Sequence, residues 1–313
     1  MRRMVYFILA ILVASQLFAQ SNISDYQRIF LPVYSANGDL KIAIRFFKIN
    51  DEPSFLTVNP DDLQTSITPV KNILPRNTVQ QRKPGYFTQW NVASTRYYQL
   101  LNKSTAAPYV TENQGITHTN DAEEGNVLTI DLCPSTKPFE ADFFNALVDK
   151  ANTSGKPVPI TIAISGMWII EHPDEFQWLV NMKKENKLVI TWANHSFSHT
   201  YYSDLPYSEN FLLSPGTNVN LEILSTEKSL LEAGEMPSVF FRFPGLISNK
   251  HLIKQLKQYG LIPLGADAWL AKRQSVTPGG VILVHGNSNE HAGILQIMPM
   301  LNQLKLLDIK NAI

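Results

Sequence analysis

Five short apolar runs recur from residue 126 onward, and each is followed by a polar or charged residue. Stretches with helical spacing separate the runs, a pattern that predicts parallel strands joined by helical crossovers. In such sheets and barrels, the loops beyond the carboxyl ends of the strands hold the active site. The polar residues are therefore predicted to share one rim. The runs are VLTI before Asp131, KLVITWA before His195, SVFF before Arg242, LIPLG before Asp267 and VILV before His285.

The stretches between these runs carry start and stop signals of helices. Pro138 and Pro173 mark two predicted helix starts, since proline is favoured in the first turn. Gly234 and Gly260 mark two predicted ends, since glycine is favoured just after a helix. A last amphipathic stretch lies near the end of the chain. Repeated strand–helix units over residues 126–313 favour an α/β fold, either a barrel or a doubly wound sheet.

Residues 20–125 have a different pattern. Short alternating or aromatic-rich runs at Leu40–Phe47 and Gly85–Val92 are separated by Pro, Asn and Asp clusters. They predict an irregular, strand-rich extension. Arg96–Leu101 fits a helical turn, and the polar stretch Asn113–Gly125 fits a connector into the main domain. No set of catalytic side chains stands out in this region, so the pattern predicts no function for it.

The N-terminus has the layout of a secretory signal. Arg2 and Arg3 precede an uncharged run over Met4–Leu17, and Ala19 offers a cleavage site. The run is short for a membrane span, although an uncleaved anchor is the alternative interpretation. We expect a secreted or periplasmic protein that meets the membrane only through this segment. The predicted organisation is a signal peptide at 1–19, an extension at 20–125 and a main domain at 126–313.

The composition is that of an ordered globular protein. Of 313 residues, 44% are hydrophobic and 17% are charged, which is enough to bury a large core. Lys plus Arg and Asp plus Glu both number 27, so no basic excess indicates a nucleic-acid partner. Cys133 is the only cysteine. An intramolecular disulfide is therefore excluded, and stability must come from the core.

Two histidines four residues apart, His195 and His199, stand in the segment Asn-His-Ser-Phe-Ser-His. If a helical turn begins at Ser196, both imidazoles face one side and can bind a single metal ion. The alternative is a pair of surface or capping histidines. Because the pair follows a predicted strand end, we favour the metal-ligand interpretation.

Four further residues have the chemistry of proton transfer. Asp131 directly follows an apolar run, so its carboxylate is expected at the rim, where it can take a proton from water. Arg242 lies within Phe-Phe-Arg-Phe-Pro-Gly, and a buried guanidinium needs a carboxylate partner such as Asp131. His285 fits either a satisfied core histidine or a general acid that Asp267 orients through the second ring nitrogen.

Ordered segments of residues 126–313 resemble the polysaccharide deacetylase (NodB-homology) family, carbohydrate esterase family 4. The family's motifs are TFDDGP, H-[ST]-x-x-H, R-x-P-[YF]-G, an aspartate close to a tryptophan, and L-x-H. The matching segments occur here in the same order, as Thr129–Pro134, His195–His199, Arg242–Gly245, Asp267–Trp269 and Leu283–His285. The resemblance implies a distorted (β/α) barrel and a hydrolase that removes N-acetyl groups from amino-sugar glycans.

The resemblance also implies roles for single residues. Asp131 would be the catalytic base, oriented by Arg242, and His285 would protonate the departing amine. His195 and His199 would be two ligands of a divalent metal, with zinc as the expected ion. The substrate-binding residues would be Trp269 and Leu283, as walls of a pocket for the acetyl methyl group, and Gly245, whose backbone N–H would donate to the oxyanion.

The chain departs from the family pattern at the metal and in the groove. Leu132 stands where the family has its second aspartate, the third metal ligand, and leucine cannot ligate a metal. Cys133 replaces the motif glycine, and the aromatic residue before Gly245 is missing.

Three outcomes of these departures stay open. The two histidines hold the metal together with water and an unexpected ligand, or the enzyme works with little or no metal, or the domain has lost catalysis and kept carbohydrate binding. Candidates for the unexpected ligand are Cys133, Asp204, His118 and Asp131. For Cys133 we favour a small packed residue, because a thiolate would compete with the substrate chemistry.

The first hypothesis is an exported hydrolase that deacylates a glycan, with peptidoglycan or another amino-sugar polymer as its expected partner. The second is a catalytically impaired glycan-binding or cell-wall-associated module of the same fold. We favour the enzyme because Asp131, Arg242, Asp267 and His285 are all retained although charges are costly to bury. The third is cleavage of another C–N bond, since the fold alone does not identify the substrate.

Overall fold

A computed structural model describes residues 22–74, 92–120 and 125–313. The signal segment predicted at 1–19 lies outside these ranges, as does the run predicted at Gly85–Val92 apart from its last residue. Among the helices of the described ranges, none is both long and apolar enough to cross a membrane.

An antiparallel four-stranded sheet comes first in the chain, with the strands in sequence order. The strand β2 contains the predicted run Leu40–Phe47, and its β-branched and aromatic side chains Ile42, Ile44 and Phe47 are buried. The strand-rich extension is therefore confirmed. The elements are β1 (Ile23–Tyr34), β2 (Leu40–Ile49), β3 (Glu52–Val58), β4 (Thr65–Pro69) and the helix α1 (Arg96–Ser104).

A parallel seven-stranded sheet forms the main domain. Its strands are β5 (Val127–Leu132), β6 (Val158–Ile164), β7 (Leu188–Asn194), β8 (Pro237–Phe241), β9 (Ile262–Pro263), β10 (Ala268–Trp269) and β11 (Val281–His285). They lie in the order β10-β11-β5-β6-β7-β8-β9. The strands β5, β8 and β11 are buried along their whole length, as expected for a parallel sheet covered on both faces.

Helices join these strands, mostly where the sequence predicts them. The helix that was expected near Pro138 begins at Ala141, whereas the helix at Pro173 begins as predicted. Gly234 and Gly260 lie just past helix ends with φ of +77° and +69°. The α-helices are α2 (Ala141–Ser154), α3 (Gly166–Glu171), α4 (Pro173–Lys184), α5 (Val219–Glu232), α6 (Lys250–Gln258), α7 (His291–Ile297) and α8 (Ile309–Ala312). Short 3₁₀ helices are Val70–Asn72, Tyr207–Glu209, Phe211–Leu213, Pro244–Leu246 and Leu270–Lys272.

The parallel sheet curls into an incomplete barrel. In a flat sheet, β5 and β8 would lie roughly 14 Å apart, because two strands separate them. Yet Nη2 of Arg242, which follows β8, donates to the hydroxyl of Thr129 on β5 at 2.8 Å. The strands β9 and β10 stand at the two ends of the strand order and do not pair with each other, so the barrel stays open, and an isolated bridge joins Ile116 to Leu264 beside β9. The predicted α/β fold with a distorted barrel is confirmed.

A buried ion pair ties the antiparallel sheet to the barrel. Arg45 on β2 donates through Nε and Nη2 to the two carboxylate oxygens of Glu227 on α5, at 2.6 and 2.7 Å. Both side chains are fully buried, and Tyr26 adds a hydrogen bond to the same carboxylate. Paired, charge-assisted bonds of this kind offset the cost of burying the two charges. The first sheet therefore fixes α5 in position.

Candidate functional site

Four strands deliver the predicted residues to one end of the barrel. Asp131 is the penultimate residue of β5, and His285 is the last residue of β11. His195 and Arg242 directly follow β7 and β8. An open cleft of about 800 Å³ lies at this end, lined by Asp131, Cys133, His199, His285 and Glu290 among others. His195 and Arg242 are buried behind it, at 1% and 0% exposure.

Asp131 lies between a guanidinium and an imidazole. Its Oδ1 is 3.7 Å from Nη1 of Arg242, and its Oδ2 is 3.6 Å from Nε2 of His195. Both distances exceed those of a hydrogen bond, and Oδ1 has no hydrogen-bond partner. Burial lowers the pKa of Arg242, and the nearby Asp131 carboxylate raises that pKa by a smaller amount. Asp131 therefore has a carboxylate oxygen without a hydrogen-bond partner, as a general base needs.

His195 is held in one tautomer. Its Nδ1 lies 2.8 Å from the backbone carbonyl of Arg242, and because a carbonyl only accepts, Nδ1 must carry the proton. Burial lowers the pKa of His195, against the raising effect of Asp131, so the ring is neutral at physiological pH. Its Nε2 lone pair therefore points toward Asp131 and toward Sγ of Cys133, which is 3.5 Å away.

The prediction of a helical turn from Ser196 is wrong, although the two imidazoles still meet. Ser196 and His199 have φ of +67° and +48°, which interrupts any helix. The loop instead folds back, so that the rings of His195 and His199 lie 4.7 Å apart. Nε2 of His199 is buried and has no hydrogen-bond partner. A buried ring nitrogen without a partner, beside a second imidazole, is the arrangement found in metal-ligating histidine pairs.

Glu222 on α5 holds this loop, and the sequence alone did not reveal it. The backbone N–H groups of Phe197 and Ser198 donate to its Oε2 at 2.9 Å each, and the Ser198 hydroxyl donates to its Oε1 at 2.6 Å. Three bonds to one carboxylate stabilise a loop with two left-handed residues that are not glycine. Glu222 contacts the loop through two backbone N–H groups and one hydroxyl and does not itself enter the cleft, so no motif spacing marks it.

Cys133 turns its thiol toward the histidines. The ligand atoms of Cys133, His195 and His199 all lie within 4.8 Å of one another. The side chain is buried, as a packed cysteine would be, but its sulfur faces imidazoles. Burial raises the pKa of the thiol, yet the neighbouring His199 and His285 outweigh burial and lower that pKa to about 7. Among the described residues, this is the one group of three such side chains close enough to hold a metal.

Leu132 faces the other side of the sheet. It is fully buried in the apolar layer with Phe143 and Phe144 of α2. Successive side chains of a strand point to opposite faces. The side chains of Asp131 and Cys133 therefore point into the cleft, and that of Leu132 points away from it. Asp204, His118 and Asp131, the other candidates for an unexpected ligand, are absent from the three-residue group.

His285 pairs with Glu290, which the sequence also did not reveal. Nδ1 of His285 lies 3.0 Å from Oε2 of Glu290, as an ion pair without the alignment of a hydrogen bond. Burial lowers the pKa of His285, but contacts with Cys133 and Glu290 outweigh burial and raise that pKa to about 10. The indole N–H of Trp269 donates to the same carboxylate oxygen. Glu290 thus positions a protonated imidazole and one wall of the cleft.

The prediction that Asp267 orients His285 is wrong. The backbone N–H of Asp267 donates to the carbonyl of Val281 at 2.8 Å, four residues before His285 and therefore roughly 13 Å along β11. Its carboxylate lies 3.2 Å from Nε2 of His118. The strand predicted before Asp267 is reduced to the two residues of β9. Asp267 lies directly before β10, at the amino end of that strand. The cleft lies at the carboxyl ends of the strands, so Asp267 is away from it.

The substrate-binding residues predicted from the resemblance, Trp269, Leu283 and Gly245, all line the cleft. Gly245 has φ of +61°, and a Cβ there would lie 2.4 Å from the ring of Phe211 and 2.7 Å from Oη of Tyr207. Tyr207 also donates to the Gly245 carbonyl at 2.9 Å. These two rings supply the aromatic wall that the sequence lacks before Gly245.

Comparisons with known proteins bear on the two parts separately. Residues 24–98 match a family model described as the RP012 protein N-terminal domain. The match spans the antiparallel sheet and the start of α1.

Solved structures similar to this chain include carbohydrate esterases. A family 4 carbohydrate esterase from Bacillus anthracis is 19% identical, with a TM-score of 0.46, over 72% of this chain and 95% of that chain. The family 4 carbohydrate esterase PdaA of Bacillus subtilis is 16% identical, with a TM-score of 0.47, over 70% and 89%. A CE4 family pseudoenzyme from Bacillus anthracis is 15% identical, with a TM-score of 0.44, over 63% and 68%. At these values the function has to be inferred from the site itself.

Proposed function

We propose that this protein is an exported hydrolase that removes an N-acetyl group from an amino-sugar glycan such as peptidoglycan. One observation carries the proposal: the Asp131 carboxylate, with one unpartnered oxygen, and the His285 imidazole, paired with Glu290, line the same cleft. A carboxylate base and an imidazolium acid are the two groups that hydrolysis of an amide requires, and the contacts of His285 raise its pKa to about 10. The signal segment predicted at 1–19 supports export.

Asp131 is the general base. Its carboxylate takes a proton from the attacking water, and Arg242, whose Nη1 lies 3.7 Å from Oδ1, stabilises the negative charge of the carboxylate. Attack on the acetyl carbonyl gives a tetrahedral oxyanion. The backbone N–H of Gly245, held by the aromatic wall, is assigned as a donor to that oxyanion.

His285 is the general acid. An amine leaves a tetrahedral intermediate only when its nitrogen is protonated, so an acid is needed on the leaving-group side. The raised pKa of His285 keeps its proton available at neutral pH. Glu290 fixes the ring through Nδ1, which leaves Nε2 to deliver the proton. Trp269 and Leu283 form an apolar pocket that fits the acetyl methyl group.

The residues present fit a divalent metal. His195 and His199 offer unprotonated or unpartnered ring nitrogens, and Cys133 offers a thiol with a lowered pKa. When bound, such a metal polarises the amide carbonyl and makes water more acidic. Around it, this chain's residues orient the substrate and move the protons.

Acetate release tests the proposal. Wild type and Asp131→Asn, both loaded with zinc, are incubated with N-acetylated oligosaccharides and peptidoglycan fragments, and the acetate is measured. We expect the variant to lose about 10²- to 10⁴-fold in rate with an unchanged circular dichroism spectrum. Asp204→Asn, at an exposed position, is the matched control and should keep the wild-type rate. Full activity of Asp131→Asn would show that another group is the base.

A glycan-binding module is the second candidate, favoured by the position of Leu132. Its side chain packs against α2 rather than in the cleft, so the family's aspartate ligand has no equivalent at that position. If this second function is correct, zinc-loaded wild type should bind the same oligosaccharides in calorimetry and should release no acetate from any of them.

A further inference from the structure

We infer that Cys133 is a protein ligand of a zinc ion, together with His195 and His199, in place of the carboxylate that the resemblance leads one to expect. The inference concerns the same cleft as the proposed hydrolase and rests on that function only for the location of the site. It replaces a hard oxygen ligand with a soft sulfur ligand one residue further along the chain.

The distance between donors fits a tetrahedral zinc ion. With Zn–S of about 2.3 Å and Zn–N of about 2.0–2.1 Å, a sulfur and a nitrogen on one tetrahedral ion lie about 3.6 Å apart. Sγ of Cys133 lies 3.5 Å from Nε2 of His195. The ligand atoms of all three residues lie within 4.8 Å of one another, so small side-chain movements suffice to close around an ion.

The ring nitrogens of both histidines are oriented for metal binding. Nδ1–H of His195 donates to the carbonyl of Arg242, so the lone pair on Nε2 faces the sulfur of Cys133. Ligating histidines commonly donate their other ring N–H to a carbonyl in this way. Nε2 of His199 is buried without a partner, which is costly unless something binds there. A metal ion satisfies both nitrogens at once.

The alternation of β5 explains why the ligand is Cys133. Leu132 points into the apolar layer against α2, so a side chain of that orientation does not reach the cleft. The thiol of Cys133 does. Three protein ligands with a fourth position open toward the cleft are typical of catalytic zinc, whereas structural zinc has four. Asp131 then stays free as the base.

The donor set also determines which ion is held. One thiolate and two imidazoles suit zinc, or cobalt as its spectroscopic substitute, and they suit the oxygen-preferring magnesium and calcium poorly. Because the thiol must be deprotonated to bind, uptake of the ion releases a proton. Magnesium should therefore fail to displace zinc even in large excess.

Metal titration of the full-length protein tests the inference. The metal-free wild type, Cys133→Ser and the control His118→Ala are titrated with zinc against a chromophoric chelator and with cobalt in a spectrophotometer. We expect wild type and His118→Ala to bind one equivalent and to show a sulfur-to-cobalt charge-transfer band in the near ultraviolet. Cys133→Ser should lose the band and bind zinc at least about a hundredfold more weakly, the upper end of what losing a supporting residue costs.

A second measurement covers the case in which Cys133→Ser does not fold. Cys133 is the only cysteine, so a thiol-alkylating reagent reports on it alone in the wild type. One equivalent of zinc should slow its alkylation at least tenfold, whereas magnesium should not. Unchanged alkylation with zinc bound, no charge-transfer band in wild type, or wild-type zinc affinity in Cys133→Ser would each overturn the inference.

These readouts do not involve the substrate, so the two proposals fail separately. If Cys133 binds zinc and no glycan is deacetylated, the proposed function is wrong and the metal site stands. If acetate is released while zinc binds without Cys133, the ligand assignment is wrong and the hydrolase stands.

Discussion

Replacing Glu222 with alanine removes the carboxylate that holds the loop between His195 and His199. Three hydrogen bonds are lost, at 2.9, 2.9 and 2.6 Å. Bonds to a charged group contribute about 1.5–3 kcal/mol each when buried. Glu222 and the loop are half-buried and water can partly replace the carboxylate, so about 1 kcal/mol each, or about 3 kcal/mol in all, is the better figure.

The loop has a reason to move once the carboxylate is gone. Ser196 and His199 both have positive φ, which costs roughly 1–2 kcal/mol for each residue that is not glycine. The strain is thus about as large as the stabilisation that Glu222 supplies. Without Glu222, the loop should leave this conformation for much of the time and carry the His199 imidazole away from Cys133. We expect zinc affinity to fall about 10- to 100-fold.

The assay combines zinc competition with urea unfolding of the metal-free protein. Glu222→Ala should unfold about 3 kcal/mol more easily, and Glu222→Gln, which keeps one acceptor oxygen, by about half of that. Glu232→Ala on the same helix removes only a surface pair with Lys228 and is the control; such pairs contribute at most about 1 kcal/mol. Wild-type zinc affinity in Glu222→Ala would refute the reasoning that this carboxylate positions the ligand loop.

Two other predictions concern the buried pair and the acid. Arg45→Met should destabilise the protein by about 3–5 kcal/mol in urea unfolding, because it leaves the charge of Glu227 buried and unpaired. The double variant Arg45→Met with Glu227→Leu should recover much of that stability. Equal destabilisation of the single and the double variant would contradict this explanation. Glu290→Gln should lower kcat about tenfold with little change in KM, because His285 loses its orienting partner; steady-state kinetics measure this, and a loss confined to KM would show that Glu290 only binds substrate.

The architecture of the barrel could be predicted because each strand has a local signature. Runs such as VLTI and VILV are apolar, β-branched and short, and a polar residue ends each one. The parallel arrangement then brings Asp131 and His285 to one rim without further information. The fourth run, LIPLG, forms only the two-residue strand β9 because it contains Pro263 and Gly265, and Asp267 therefore does not lie at the rim that the run predicts.

The residues that support the site could not be predicted, for a physical reason. Two of the three hydrogen bonds from the loop to Glu222 come from backbone N–H groups, which carry no sequence signal, and Glu222 lies 24 residues from Ser198. Glu290 acts across a turn from β11. The sequence favours a packed residue at Cys133, because a packed cysteine and a metal-ligating cysteine look alike in a sequence. The structure adds the direction of the sulfur, which points toward Nε2 of His195.

The antiparallel sheet, for which the sequence predicts no function, has a structural connection to the site. Arg45 and Tyr26 hold Glu227 on α5, and Glu222 on the same helix holds the ligand loop. The first sheet therefore stabilises α5, and α5 in turn holds the loop between His195 and His199. Loss of the Arg45–Glu227 pair should lower zinc affinity as well as stability.

Hydrolysis of N-acetylated glycan in H₂¹⁸O tests the central claim most directly. Zinc-loaded wild type is incubated with an N-acetylated oligosaccharide, and both products are analysed by mass spectrometry. Water attack on the acetyl carbonyl, with proton transfer by Asp131 and His285, predicts one ¹⁸O atom in the released acetate, a free amine on the sugar and no label in the glycan. A glycan that binds in the cleft but keeps every acetyl group would contradict the account.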